Sequence, residues 1–341
     1  MIIRSKAPFR LELGGGGTDV APYSEQRGGI VFNTTIDQYA YVTVVPREDG
    51  EFTVESQDYN VIARFRGEED LAYDGNLDLV KATIKTMLER DALIKMGCEI
   101  FIHSDVPAGS GLGSSSTVCV ALVGALAEYY RIPYTSYEIA YLAYHIERED
   151  LGIKGGYQDQ FAAVFGGFNL MEFGKNGSVI VNPLRIKQDI LNELHYHLVL
   201  AYSGKSRLSD RILDKQINRY VASPKEIGQI YDNLRDYARQ MKDAVITGNL
   251  DEFAALITKA FQEKKKAVEG LTTDLVDKIY DTAMEHGAIG GRIMGAGGGG
   301  HLLFYVDYKR KREVINALTD IGAEVKNFQF EQNGLQTWIQ K

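Results

Sequence analysis

The run Pro107-Ala108-Gly109-Ser110-Gly111-Leu112-Gly113-Ser114-Ser115-Ser116 constrains this chain more than any other stretch. Three glycines alternate with small or apolar residues, and three hydroxyls follow. Cys98–Ser104 before it reads as a strand, and the Ala-, Val- and Leu-rich segment Thr117–Tyr130 after it reads as a buried helix. A strand, a glycine loop and a helix N-terminus are thereby fixed in order. Glycines let backbone N–H groups turn toward a ligand. The helix end adds free donors and a positive dipole end. The combination predicts an anion site suited to phosphate; the alternative is a tight turn with a good N-cap.

Two further glycine runs need explaining with it. Gly14–Gly17 precedes Thr18-Asp19, a hydroxyl and a carboxylate suited to sugar hydroxyls. Gly295-Ala296-Gly297-Gly298-Gly299-Gly300 fits a dinucleotide fingerprint literally, but the β-like His301–Val306 follows where a helix belongs. The central loop is not a phosphate-binding Walker loop either, since no Gly-Lys-Ser/Thr ends it. The Gly204-Lys205-Ser206 triplet has Val199 where that motif needs glycine. A dinucleotide register starting at Gly111 fails at Ser116.

The chain has 341 residues, enough for two domains. A change from a β-rich first half to a helix-rich second half places the boundary near 185, giving domains 1–185 and 186–341. The region 7–13 alternates apolar and polar residues, as a half-exposed strand does. Ser136–Asp150 reads as a helix capped by Ser136, and Asn176-Gly177 as a hairpin. His195–Tyr202 reads as a strand with His195 and His197 on one face, as packing or surface groups. A net charge of −8 argues against nucleic acid and anionic membranes as partners. The two cysteines, Cys98 and Cys119, have neither metal nor redox spacing. No signal-peptide pattern opens the chain, and no stretch approaches about 18 uninterrupted apolar residues. These features predict a cytoplasmic protein and leave a homodimer open.

Asp159 stands in a polar loop between two glycine pairs, where a carboxylate takes a proton from a substrate hydroxyl or is simply solvated. Glu147 and Glu149 oppose the dipole at a helix end, which favours a bound cation or a surface charge cluster. Glu147 with Ser115 or Ser116 suits Mg²⁺. Arg10 is a candidate anion partner, as is Arg207 in Tyr202-Ser203-Gly204-Lys205-Ser206-Arg207; Lys205 or Arg207 would read a substrate phosphate.

Pro107, Gly111-Leu112-Gly113-Ser114-Ser115 resembles the central ATP loop of the GHMP kinases (galactokinase, homoserine kinase, mevalonate kinase and phosphomevalonate kinase). Lys6-Ala7-Pro8-Phe9-Arg10-Leu11 through Thr18-Asp19 resembles their first motif, and Met294–Gly299 their third. Glu147-Arg148, Leu151-Gly152-Ile153-Lys154-Gly155-Gly156, Gln158-Asp159-Gln160 and Phe165–Asn169 resemble the D-glycero-D-manno-heptose 7-phosphate kinase branch, with fucokinase a near neighbour. Gly14–Gly17 departs from the Gly-Glu-His run of galactokinases, and Phe9 from the glycine of many relatives.

The resemblance implies an α+β, two-domain GHMP kinase fold, with an N-terminal domain like ribosomal protein S5 and a C-terminal ferredoxin-like domain. It implies ATP on Pro107, Gly109, Ser110, Gly111, Leu112, Gly113, Ser114, Ser115 and Ser116. Ser115 and Glu147 would hold Mg²⁺. Asp159 would be the base, and Arg10 would stabilise the transferring phosphoryl group or polarise the hydroxyl. Gly16, Gly17, Thr18, Asp19, Gly156, Gly297 and Gly298, with Lys205 and Arg207, would shape the sugar site. The implied reaction is phosphorylation of heptose 7-phosphate at its anomeric hydroxyl, giving the 1,7-bisphosphate. A fucokinase-like enzyme on an unphosphorylated sugar and a non-catalytic sugar sensor are the rivals. A decarboxylase of the same fold is disfavoured by Gly113, where those relatives tend to carry alanine.

Overall fold

The computed structural model describes residues 1–57, 61–66, 68–90, 97–205 and 210–341. In the first half the order is β1 (Ile2–Gly14), α1 (Tyr23–Arg27), β2 (Gly29–Pro46), β3 (Phe52–Ser56), β4 (Val61–Phe65), α2 (Asp78–Arg90), β5 (Cys98–Ser104), α3 (Ser114–Tyr130), α4 (Ser136–His145), α5 (Gln158–Phe165), β6 (Asn169–Phe173) and β7 (Val179–Pro183). A π-turn, Ile146–Asp150, continues α4. The second half holds α6 (Gln188–His197), β8 (Leu198–Tyr202), α7 (Asp210–Ala222), α8 (Glu226–Thr247), α9 (Leu250–Ala267), α10 (Asp274–Glu285), β9 (Ala288–Ile293), β10 (His301–Val306), α11 (Lys311–Asp320), β11 (Glu324–Lys326), β12 (Phe330–Glu331) and β13 (Gln336–Gln340).

Two sheets organise these elements among the described residues. The larger runs β13-β1-β2-β5-β3-β4, with β12 and β6 also on β2 and β7 on β6. β2 serves so many partners because its 18 residues pair with β6 at one end and β5 at the other. The smaller sheet, β11-β8-β10-β9, is antiparallel throughout. The second segment does not stay with its own sheet. β12 pairs β2 and β13 pairs β1, so residues 330–340 of the expected 186–341 domain complete the first sheet. Without β13, the backbone of β1 from Ile2 to Lys6 would lie open as an edge.

Three local expectations need correcting. β1 is not half-exposed. From Ala7 to Gly14 every residue is buried, because α3 and α5 pack on this strand together with α8 and α9. The alternation that looks like a solvent face is Arg10 and Glu12 turned into the protein interior. Residues 188–197 are a helix, not the start of a strand. Leu191 and Leu194 form its buried stripe and Asp189 opens it. His195 and His197 close its last turn, bound to the carbonyls of Phe328 and Val306. The N-cap of α4 is Thr135, not Ser136, in a reciprocal capping box with Glu138. The 174–178 turn of the β6–β7 hairpin does carry Asn176 and Gly177 at positive φ, as expected.

No described helix is long and apolar enough to cross a membrane.

Candidate active site

A cleft opens where β1, the three glycine runs, α5 and α9 meet. One wall of it is the N-terminus of α3. Gly113 precedes that helix in the left-handed region (φ 81°), and no side chain caps it. The first-turn N–H groups are therefore left to the cleft. A Cβ at Gly113 would sit 3.2 Å from Asp159 Cγ, so glycine is required here by conformation and by room. The loop is seated by hydrogen bonds elsewhere. Ser114 Oγ reaches Ser110 Oγ (2.9 Å) and the Pro107 carbonyl (3.2 Å). The backbone N–H of His301 and the His301 ring both bond the Ser110 carbonyl (3.0 and 2.9 Å). Burial drops the His301 pKa to about 4, so this latch is neutral.

Arg10 and Asp159 form the cleft floor. Arg10 Nε and Nη2 both meet Asp159 Oδ1 at 2.8 Å, and Nη1 donates to the Gly111 carbonyl at 2.6 Å. Oδ2 of Asp159 has no donor among the described residues, and the side chain keeps 20% of its exposure. Asp159 belongs to the first turn of α5, not to a loop as expected. The flanking glycine pairs hide a helix of only eight residues, too short for its period to show in sequence.

Asp19 closes the opposite side. Its carboxylate accepts from the N–H of Gly17 (3.1 Å) and of Gln158 (3.2 Å). Burial, then the nearby Asp159 charge, raises its pKa to about 6. Thr18 is structural: its hydroxyl bridges Gly15 O (2.7 Å) and Ile30 N (3.0 Å).

Glu147 sits on the π-turn with its side chain fully buried. Gln160 Nε2 donates to its Oε2 (2.6 Å) and to Ser116 Oγ (3.1 Å). Oε1 of Glu147 has no hydrogen-bond partner among the described residues. Ser115 is exposed on the same cleft wall. The Arg148 guanidinium lies 3.7 Å from that oxygen; a buried carboxylate oxygen without a hydrogen bond, in a cleft that an exposed hydroxyl also lines, fits a hard cation.

Beneath this floor lies a buried ion cluster that the sequence did not reveal. Arg292 from β9 pairs with Glu12 and donates to Leu13 O (2.9 Å). Lys264 from α9 faces Glu12 (3.7 Å) and donates to Gly295 O (3.0 Å). Burial alone would raise the Glu12 pKa, but Arg292, Lys264, Arg10 and the Gly16 N–H together hold it below the ordinary value. Burial lowers that of Lys264 against the pull of Glu12. The cluster also explains the glycine run. A Cβ on Gly16 would lie 1.9 Å from the Glu12 carboxylate, which fills the room a side chain at 16 would need.

The structure thus brings Arg10, Gly17, Asp19, Gly109, Gly111, Gly113, Ser114, Ser115, Ser116, Glu147, Gly156, Asp159 and Gly297 to one cleft. Gly298 lies beside it, its N–H on Leu271 O. Lys205 is exposed and is not a lining residue; its carbonyl holds Gly300 N (2.9 Å). Arg207 lies outside the described residues. Lining residues missed in sequence include Arg148, Lys154, Gln216 and Lys264. Lys264 is hidden in a three-lysine run of α9 that reads as a solvated face.

Comparison with known proteins gives the family. Residues 78–167 match the family model of the GHMP kinases N terminal domain, and 241–324 that of the GHMP kinases C terminal. The chain is 39% identical over 98% of both lengths to the D-glycero-alpha-D-manno-heptose 7-phosphate kinase of Campylobacter jejuni. It superposes at a TM-score of 0.85, with 35% identity and 99% coverage of both chains, on a D-glycero-D-manno-heptose 1-phosphate kinase from Bacteriodes thetaiotaomicron. The Lactococcus lactis galactokinase solved with galactose shares the fold (TM-score 0.81, 21% identity, 98% of this chain and 95% of that one). The chain belongs to the GHMP kinase family, in its heptose 7-phosphate kinase branch, and is a sugar kinase.

Proposed function

We propose that the protein transfers the γ-phosphoryl group of ATP to the anomeric hydroxyl of D-glycero-D-manno-heptose 7-phosphate, giving the 1,7-bisphosphate. The Arg10–Asp159 pair carries this reading, set between the uncapped N-terminus of α3 and the buried Asp19. ATP's phosphates would lie on the Gly109–Ser116 loop, within a half of the molecule that we assign to residues 1–185 joined by the returning strands of 330–340, the helix-rich half being the rest of 186–341. The sugar would lie between Asp159 and Asp19, with Gly17, Gly156 and Gly297 allowing its close approach. The donor-free Oδ2 of Asp159 takes the hydroxyl proton while the oxygen attacks the γ-phosphorus. The bond from that phosphorus to the bridging oxygen breaks, and ADP leaves with the electron pair. Arg10, pinned by Gly111 O and Asp159 Oδ1, balances charge on the moving group. Phosphoryl transfer asks mainly for this positioning and neutralisation. Glu147 and Ser115 would hold Mg²⁺, which when bound neutralises phosphate charge. The cytoplasm, where ATP is abundant, is the compartment this reading implies.

The two heptose kinases above act, by their names, on sugars phosphorylated at different carbons. We choose the 7-phosphate because it leaves the anomeric hydroxyl free, and that hydroxyl is acidic enough for a single aspartate. If the 1-phosphate is the substrate instead, a different hydroxyl must meet Asp159.

Asp159→Asn tests the assignment. Its kcat for ADP release should fall by about 10²–10⁴-fold, with ATP affinity held within a few fold. Near-normal turnover would remove Asp159 from the role of base.

A further inference from the structure

Four cationic side chains line the cleft among the described residues: Arg10, Arg148, Lys154 and Lys264. Three are engaged by protein acceptors. Arg10 is held by Asp159 and Gly111 O. Arg148 donates to Ser116 Oγ (3.2 Å) and Ile153 O (3.5 Å). Lys264 donates to Gly295 O and faces Glu12. Lys154 makes no hydrogen bond, ion pair or ring contact with the described residues.

Its backbone, by contrast, is fixed on both sides. Before it, Leu151 N bonds Ile146 O (3.2 Å) and Ile153 N bonds Glu147 O (3.0 Å). After it, a Cβ on Gly155 would meet the Arg148 guanidinium at 2.5 Å, and one on Gly156 would meet Asp19 Oδ2 at 2.0 Å. The segment beside it is thus hydrogen-bonded at Leu151 and Ile153 and closely approached at Gly155 and Gly156, and Lys154 is an exposed cation that lines the cleft. A lysine so placed is a point charge on a flexible stem, able to follow a phosphate without a fixed geometry.

Charge balance says why the cleft needs it. Glu12, Asp19, Glu147 and Asp159 all line the same space. The three engaged cations already face these carboxylates or loop carbonyls. A sugar that brings its own phosphate dianion must find a cation that is not yet neutralised. ATP's phosphates have the α3 N-terminus and the Glu147–Ser115 wall. Lys154 lies between Ile153, whose N–H bonds Glu147 O, and the Gly155-Gly156 pair, of which Gly156 packs on Asp19, the residue assigned above to the sugar.

We propose that Lys154 is a specificity-determining residue that pairs with the phosphate carried by the sugar, not with those of ATP. This rests on the sugar phosphate reading given above.

Lys154→Met and Lys154→Arg, with wild type, test it by steady-state kinetics on D-glycero-D-manno-heptose 7-phosphate, on the unphosphorylated heptose and with ATP varied. Lys154→Met should raise KM for the phosphorylated sugar and cut the selectivity ratio, phosphorylated over unphosphorylated, by about ten- to hundredfold. Lys154→Arg should restore most of that ratio, and KM for ATP should move less than about twofold. The side chain is exposed, so unfolding is not expected to intervene; an unchanged melting temperature verifies this. A wild-type enzyme that prefers the phosphorylated sugar, with a Lys154→Met variant that keeps the preference, overturns the assignment alone. So does a rise in KM for ATP equal to that for the sugar. A wild-type enzyme with no preference overturns the substrate reading and this assignment with it.

Discussion

Asp19 shows how a buried carboxyl at the cleft is held at a cost to stability. Burial first, and the Asp159 charge second, raise its pKa from 3.8 to about 6. The folded protein therefore binds this proton more tightly than the unfolded chain does. The stability contributed by the neutral carboxyl is full below about pH 4 and is lost as pH rises through about 6. The loss amounts to roughly 3 kcal/mol. Asp19→Asn cannot ionise and has no such loss. In urea unfolding, the stability of wild type relative to Asp19→Asn should fall by about that amount between pH 4 and pH 7. Parallel pH curves would show that Asp19 is not strained in this way. Asp19 was legible in sequence because Thr-Asp follows a glycine run. The partners that set its chemistry were not. Gln158 and Asp159 lie some 140 positions away, and only α5 brings them near.

At the scale of elements, the strand–loop–helix unit was the most readable part. β5 was anticipated with its observed ends, and α3 begins three residues earlier than its apolar run, at Ser114. Glycine loops, apolar helices and short alternating strands announce themselves locally. β1 did not, because a strand buried on both faces with ionised groups inside looks like a half-exposed one. The last turn of α6, His195–His197, reads as the start of the strand because it runs straight into the apolar Leu198–Tyr202. The α3 entrance carries the element-level prediction. Gly113→Ala places a Cβ at φ 81° and against Asp159. It should cost about 1–2 kcal/mol of stability and weaken ATP binding, read by thermal unfolding and by titration calorimetry. A variant with wild-type stability and wild-type affinity would mean that the loop does not hold the phosphates.

On the scale of the whole molecule, the site is a junction between two sheets. Glu12 of the larger sheet and Arg292 of the smaller meet under the cleft, with Lys264 from α9 completing the cluster. Removing one partner of such a buried cluster leaves an uncompensated charge, so the two sheets are tied at the cleft. Nothing in the sequence joins positions 12, 264 and 292. The sequence marked the glycine runs, Arg10 and Asp159, and the fold supplied the ion cluster beneath them. The return of β12 and β13 to the first sheet was also hidden, since pairing partners some 300 positions apart leave no local mark. The central claim, that this junction phosphorylates the anomeric carbon of a heptose already bearing a phosphate, is tested most directly by ADP release with ³¹P NMR of the product. The panel comprises D-glycero-D-manno-heptose 7-phosphate, the 1-phosphate, the unphosphorylated heptose and fucose. The account predicts turnover chiefly on the 7-phosphate, with a new phosphate monoester on the anomeric carbon. Turnover chiefly on the 1-phosphate or on an unphosphorylated sugar, or a new phosphate at another carbon, would contradict it.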